Sequence, residues 1–67
     1  MDAESVKKYI GKKCVIVLKN NYVYTAVIPP LSDWIGSAFT ITDKFGKSAE
    51  VDCDMIGFIQ EERGNSN

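Results

Sequence analysis

The stretch Leu18 to Ile28, LKNNYVYTAVI, constrains this chain more than any other. An apolar run enters it from Lys13, a polar tip of Lys19, Asn20 and Asn21 interrupts it, and a second strand-like run leaves through Ile28. Two β-rich runs joined by so short a tip predict a β-hairpin. Asparagine suits the tip because it tolerates the left-handed backbone that such turns require. On the second run Tyr22, Tyr24, Ala26 and Ile28 share one face, and Val23, Thr25 and Val27 the other. Pro29-Pro30 ends the strand, since proline cannot donate to a ladder.

The rest of the chain supplies one helix and three more strands. Residues 2–10 predict a short helix, with Asp2 as its cap, Glu4 at the positive end of its dipole and Gly11 as its stop. Val6, Tyr9 and Ile10 form its apolar stripe, and a helix this short must pack on something. Strands are expected over 13–18, 22–28, 38–43, 48–52 and 55–60. The first is apolar nearly throughout, which predicts cover on both faces. The third alternates Phe39 and Ile41 with Thr40 and Thr42, so one face is polar. Residues 31–37 form a loop with an apolar Trp34-Ile35 pair, and 44–47 a turn with glycine at an unusual φ. Only Cys53 and Asp54 separate the last two strands. The polar end, 62–67, is expected to fray. One helix followed by five closely spaced strands predicts an all-β fold, a small SH3-like barrel with an N-terminal helix, over residues 1–61. An OB-fold usually places its helix later, so the order favours the Sm-type barrel.

Composition removes several function classes. Sixty-seven residues make one small domain with a thin core, and such folds often gain stability by associating. A net charge of −1 gives no global field to gather nucleic acid, so any RNA contact must come from a local patch. With no histidine and no paired-cysteine motif, a zinc site is not expected; Cys14 and Cys53 read as small core residues in a reducing compartment. Neither a signal peptide nor a run of membrane-spanning length is visible, so the expected location is cytoplasmic. Asp52 and Asp54 flank Cys53, but general acid–base work needs a cleft and a partner group, so no enzyme and no cofactor are expected.

At this point the chain resembles the Sm-like (Lsm) family. The family's first motif is matched in spacing by Leu18, Asn21, Tyr24, Ala26 and Ile28, with Asn21 and Ala26 standing where the family has glycines. Its second motif is matched by Val51, Asp52, Cys53, Asp54, Met55 and Ile56, then Phe58 and Ile59. Asp52 stands at the family's arginine and Cys53 at its glycine. The resemblance runs from Val6 to Gln60. It implies a homo-oligomeric ring in which the fourth strand of one subunit pairs with the fifth of the next, with single-stranded, uridine-rich RNA bound in the pore or on one face.

Carried over to this sequence, the resemblance implies that Asp33 matches the acidic position before the third strand, that Trp34 offers a base-stacking surface, and that Ser37 or Gly36 takes the place of the base-reading asparagine. Asp52 takes the place of the arginine that covers the base, and there it sets a negative charge against RNA. Lys7 and Lys8, with Lys12 and Lys13, form the only basic cluster, suited to phosphates or to the helix dipole. A second reading keeps an SH3-like interaction or scaffold module with no RNA binding.

Overall fold

The computed structural model describes residues 1–62. The fold is mostly β, with helix α1 at Ala3–Lys7 and strands β1 Lys13–Leu18, β2 Val23–Val27, β3 Ala38–Thr42, β4 Ser48–Asp52 and β5 Ile56–Glu61. Short 3-10 turns at Leu31–Asp33 and Cys53–Met55 interrupt the connections. All five expected strands form, within a residue of the expected bounds.

The hairpin at the centre of the sequence is built as its residues require. β1 and β2 pair antiparallel from Lys13 with Val27 to Val17 with Val23. Asn21 is the only described non-glycine residue at positive φ (74°), and its N–H donates to the Leu18 carbonyl at 2.8 Å. The Asn20 side chain accepts from the Tyr22 amide at 3.1 Å, so both asparagines hold the tip. β1 also pairs with β5, with a register shift where Val17 faces Phe58 and Leu18 faces Ile56, which leaves Gly57 as a bulge. The sheet order is therefore β2-β1-β5.

β3 and β4 form a separate two-stranded sheet. The expected closed barrel is thereby corrected: the five strands make two antiparallel sheets that enclose one core. Pro29-Pro30 stops the ladder from running out of β2 into β3. The Cys53–Met55 turn carries the chain from one sheet to the other between β4 and β5.

The core takes residues from each strand: Cys14, Ile16 and Leu18 from β1, Ala26 from β2, Phe39 and Ile41 from β3, Val51 from β4, Ile56 and Ile59 from β5. Val6 of α1, Ile28, Trp34 and Cys53 complete it, and no polar residue among those described is buried. β1 is covered on one face only; Val15 and Val17 on its other face stay half-exposed. Val17 lies between Val23 and Phe58, both exposed, so the outer face of the three-stranded sheet keeps an apolar row.

α1 is half as long as expected. Asp2 caps it as predicted, accepting from the Ser5 amide at 3.0 Å, but the helix ends at Lys7. Ile10 instead bridges Ile28, and Gly11, at φ 83°, donates to the Ile28 carbonyl. Tertiary pairing wins because so short a helix has little stability of its own. The Met1 amino group donates to the carbonyls of Cys53 and Ile56, which seats the start of the helix on the turn between β4 and β5. At the other end of the chain the Glu62 N–H donates to the Lys13 carbonyl at 2.8 Å. The remainder of the expected tail lies outside the described residues.

The Asp2 cap makes α1 sensitive to acid. The Ser5 hydrogen bonds hold the Asp2 carboxyl below its ordinary value of 3.8. A depressed folded pKa stabilises the helix above the unfolded value and loses that contribution as pH falls through the folded one. Acidifying below about 4 should therefore loosen the first turn, seen as movement of the Ser5 amide resonance. Asp2→Asn, which keeps a capping oxygen without the charge, should abolish that movement; a Ser5 resonance that titrates unchanged in the variant would show that the cap is not its source.

Candidate functional site

Two of the expected site residues meet. The Ser37 hydroxyl donates to the Asp52 carboxylate at 3.1 Å across the end of the β3-β4 sheet, and the Ser37 carbonyl accepts from the Cys53 amide at 2.9 Å. Ser37 is placed there by a tight turn in which Ile35 and Ala38 exchange two backbone hydrogen bonds around Gly36. That turn needs the positive φ of 63° that glycine supplies.

The same Asp52 oxygen accepts from the Asp54 amide at 3.0 Å, capping the Cys53–Met55 turn. A carboxylate at the position where the resemblance places arginine is thus engaged at home. It ties the loop before β3 to the link between β4 and β5. Aspartate does this with short reach and two acceptor oxygens, whereas an arginine could only donate.

The other expected residues lie elsewhere. Asp33 is exposed on the 3-10 turn. Trp34 is 8% exposed, stacks at 4.7 Å on Phe39 and donates its indole N–H to the Pro29 carbonyl at 3.0 Å. In this conformation it is a core side chain, because loop 29–37 folds back over the core. Its neighbour Ile35 is 80% exposed in its stead. Lys7 pairs with Glu4 at 3.1 Å along the helix, and Lys8 is exposed at the helix cap. Lys12 and Lys13 lie within 3.6 and 3.5 Å of Glu61 and Glu62. Exposed pairs of this kind contribute little to stability, but they offset most of the basic cluster's charge.

The field around the site is negative. Burial, and then Asp52, push the Cys53 thiol above its ordinary pKa, with Asp54 and Asp2 acting in the same direction. Burial, then Glu61, does the same for Cys14. Both are buried free thiols, held protonated at neutral pH. A depression of about 240 Å³ lies alongside, lined by Leu18, Lys19, Asn20, Asp54 and Met55. It exists because the Lys19 amide donates to the Met55 carbonyl at 2.8 Å, drawing the β1-β2 tip onto the turn after β4. No sequence motif signals that contact, since it joins residues far apart in the chain.

Among the described residues no group of acidic, cysteine or histidine side chains is arranged to hold a metal ion, and no helix is long and apolar enough to cross a membrane. Comparison of the chain with protein-family models, with curated proteins and with solved structures gives no match.

Proposed function

We propose that this chain is an Sm-like, SH3-like-barrel protein that assembles into a homo-oligomeric ring and associates with single-stranded RNA in the cytoplasm, with base recognition altered from the family's. The observation that carries the reading is an open edge on each of two strands, although β2 and β3 also keep one. Among the described residues β4 pairs only with β3, and β5 only with β1. These are the two strands that the resemblance joins between subunits. An open edge is a template for another strand, and one β4-to-β5 contact repeated around a closed ring would use both. The exposed apolar row of Val23, Val17 and Phe58 beside the β5 edge supports association as well.

The acidic setting of Asp52 favours the second reading, a scaffold module without RNA. Two measurements separate them. Light scattering on a sizing column should give a discrete mass of about five to eight subunits; a stable monomer at all concentrations removes the ring. Affinity for an oligo-uridine strand should then fall with added salt; no affinity in low salt favours the scaffold.

Asp52→Arg is the sharper probe. It removes a cap worth about 1 kcal/mol, so the midpoint of urea unfolding should fall modestly. It also replaces a repelling charge by an attracting one, so the variant should bind oligo-uridine more tightly than the parent. Unchanged affinity in a variant that still binds would remove Asp52 from the RNA site.

A further inference from the structure

The β3-β4 hairpin ends in a tip unlike the rest of the surface. Phe45 is 78% exposed, and the Lys44 ammonium lies 5.5 Å from its ring centroid. Lys47 follows two residues on, and neither lysine has a carboxylate within ion-pair distance among the described residues. The one acid of the turn, Asp43, is turned onto the backbone, accepting from the amides of Phe45 and Lys47 at 2.9 Å each. Gly46, at φ 83°, donates to the Asp43 carbonyl at 3.0 Å. The turn is therefore held from within. It presents an aromatic ring with one cation beside it and a second lysine two residues on in the chain, and the ring contributes nothing to the core.

We infer that this tip, residues 43–47, is a contact site for single-stranded RNA, with a base stacked on Phe45 and phosphates held by Lys44 and Lys47. It rests on the proposed RNA partner but uses different atoms. The register pairs from Ala38 with Asp52 to Thr42 with Ser48 put at least about 13 Å between the tip and the Ser37–Asp52 site. Charge complementarity chooses the occupant. The chain is net negative and the Asp52 end is acidic, whereas the tip carries two unpaired cations beside an open π-face. A single ammonium covers one face of a ring at most, and base stacking needs only the other. Stacking on an aromatic with phosphates on nearby cations is how single strands are bound without sequence choice.

A protein hot spot is disfavoured, because it needs a ring of surrounding contacts to exclude water, and the strand positions flanking the tip are Thr42 and Ser48. One phenylalanine and two lysines also fall short of a stable membrane anchor.

The test is an amide-resonance titration of the assembled protein with hexauridylate and with hexaadenylate. Both should move residues 44–47 to a similar degree. Phe45→Leu should weaken binding roughly tenfold while Phe45→Tyr keeps it, since only the ring stacks. Lys44→Ala with Lys47→Ala should reduce the salt slope by about 1.4, the value for two phosphates on a single strand. These positions are exposed, so the variants remain folded. RNA that moves only Ser37 and Asp52–Asp54, with Phe45→Leu at parental affinity, overturns the tip and leaves the proposed function standing. Movement of the tip by phosphatidylserine vesicles and not by RNA overturns it in favour of a membrane. No response to RNA anywhere overturns both. RNA on the tip of a monomer sustains the tip and removes the ring.

Discussion

Trp34→Ala should cost about 3–5 kcal/mol of folding stability, the range for removing a large aromatic from a core. Folded domains are stabilised by about 0.05–0.15 kcal/mol per residue, so the whole fold has on the order of 3–10 kcal/mol to lose. The variant should be largely unfolded or melt well below the parent, by more than about 12 °C at the usual sensitivity of small domains. Near-ultraviolet dichroism and urea unfolding would measure it. The reason is position. Trp34 sits at the end of the 3-10 turn, its ring lies on Phe39, and its N–H is satisfied by the Pro29 carbonyl. It holds loop 29–37 down on the core, and that loop carries Ser37 to Asp52. Trp34→Phe should keep most of the packing and lose chiefly the hydrogen bond, about 1 kcal/mol. The pair of variants decides between a core role for this side chain and the base-stacking role that the resemblance implies. If Trp34→Ala leaves stability within about 0.5 kcal/mol of the parent, the indole is a surface group and its stacking on RNA is restored as a reading.

What the sequence made legible was local. The β1-β2 hairpin was readable because Asn20 and Asn21 are turn chemistry set between two apolar runs, and both asparagines act there. β3 was readable because its alternation has period two, and Phe39 and Ile41 are the buried positions. The short helix was over-extended because the stripe of Val6, Tyr9 and Ile10 fits a helix, while Ile10 gains more by bridging Ile28. Barrel closure was not legible: the two sheets stay separate because β2 does not pair with β3 and β4 does not pair with β5, and the break after β2 falls at Pro29-Pro30, which the sequence marks only as the end of a strand. The site was half legible. Ser37, with Gly36 as its alternative, and Asp52 were marked only by the family resemblance, and Ser37 and Asp52 do touch. That Asp52 caps a turn rather than standing free follows from its reach to the Asp54 amide, a local Asx bond the pattern allowed but did not require. Trp34 and the lysines were ambiguous because a tryptophan or lysine reads alike in either role until its neighbours are placed.

If the proposed ring forms through the β4 edge, Glu50→Pro should dissolve it and leave the subunit folded. The hydrogen-bond parity of β4 fixes the choice of residue. The Cys53 amide donates to the Ser37 carbonyl, and the Asp43 amide donates to the Lys47 carbonyl. In an antiparallel pair the bonded positions alternate, so Lys47, Ala49, Val51 and Cys53 face β3 with their backbone groups. Those of Ser48, Glu50 and Asp52 point to the open edge. Proline at residue 50 therefore removes a donor from that edge and none from the ladder to β3, the setting in which an edge strand tolerates it. The Glu50 side chain is exposed, so its loss opens no cavity. If β4 pairs with β5 of a neighbour, the solution mass should fall from that of the assembly toward the 7.4 kDa of one chain, with far-ultraviolet dichroism and Trp34 fluorescence retained. Val51→Pro is the contrasting variant: it breaks a bond to β3 and removes a buried side chain, so it should unfold the chain outright. If the proposed ring binds RNA, affinity should fall along with the mass in Glu50→Pro, because each subunit would then bind alone and the gain from linked sites would be lost. An assembled parent whose mass is unchanged by Glu50→Pro would place the contact between subunits away from the β4 edge. The apolar row of Val23, Val17 and Phe58 would then be the next surface to substitute.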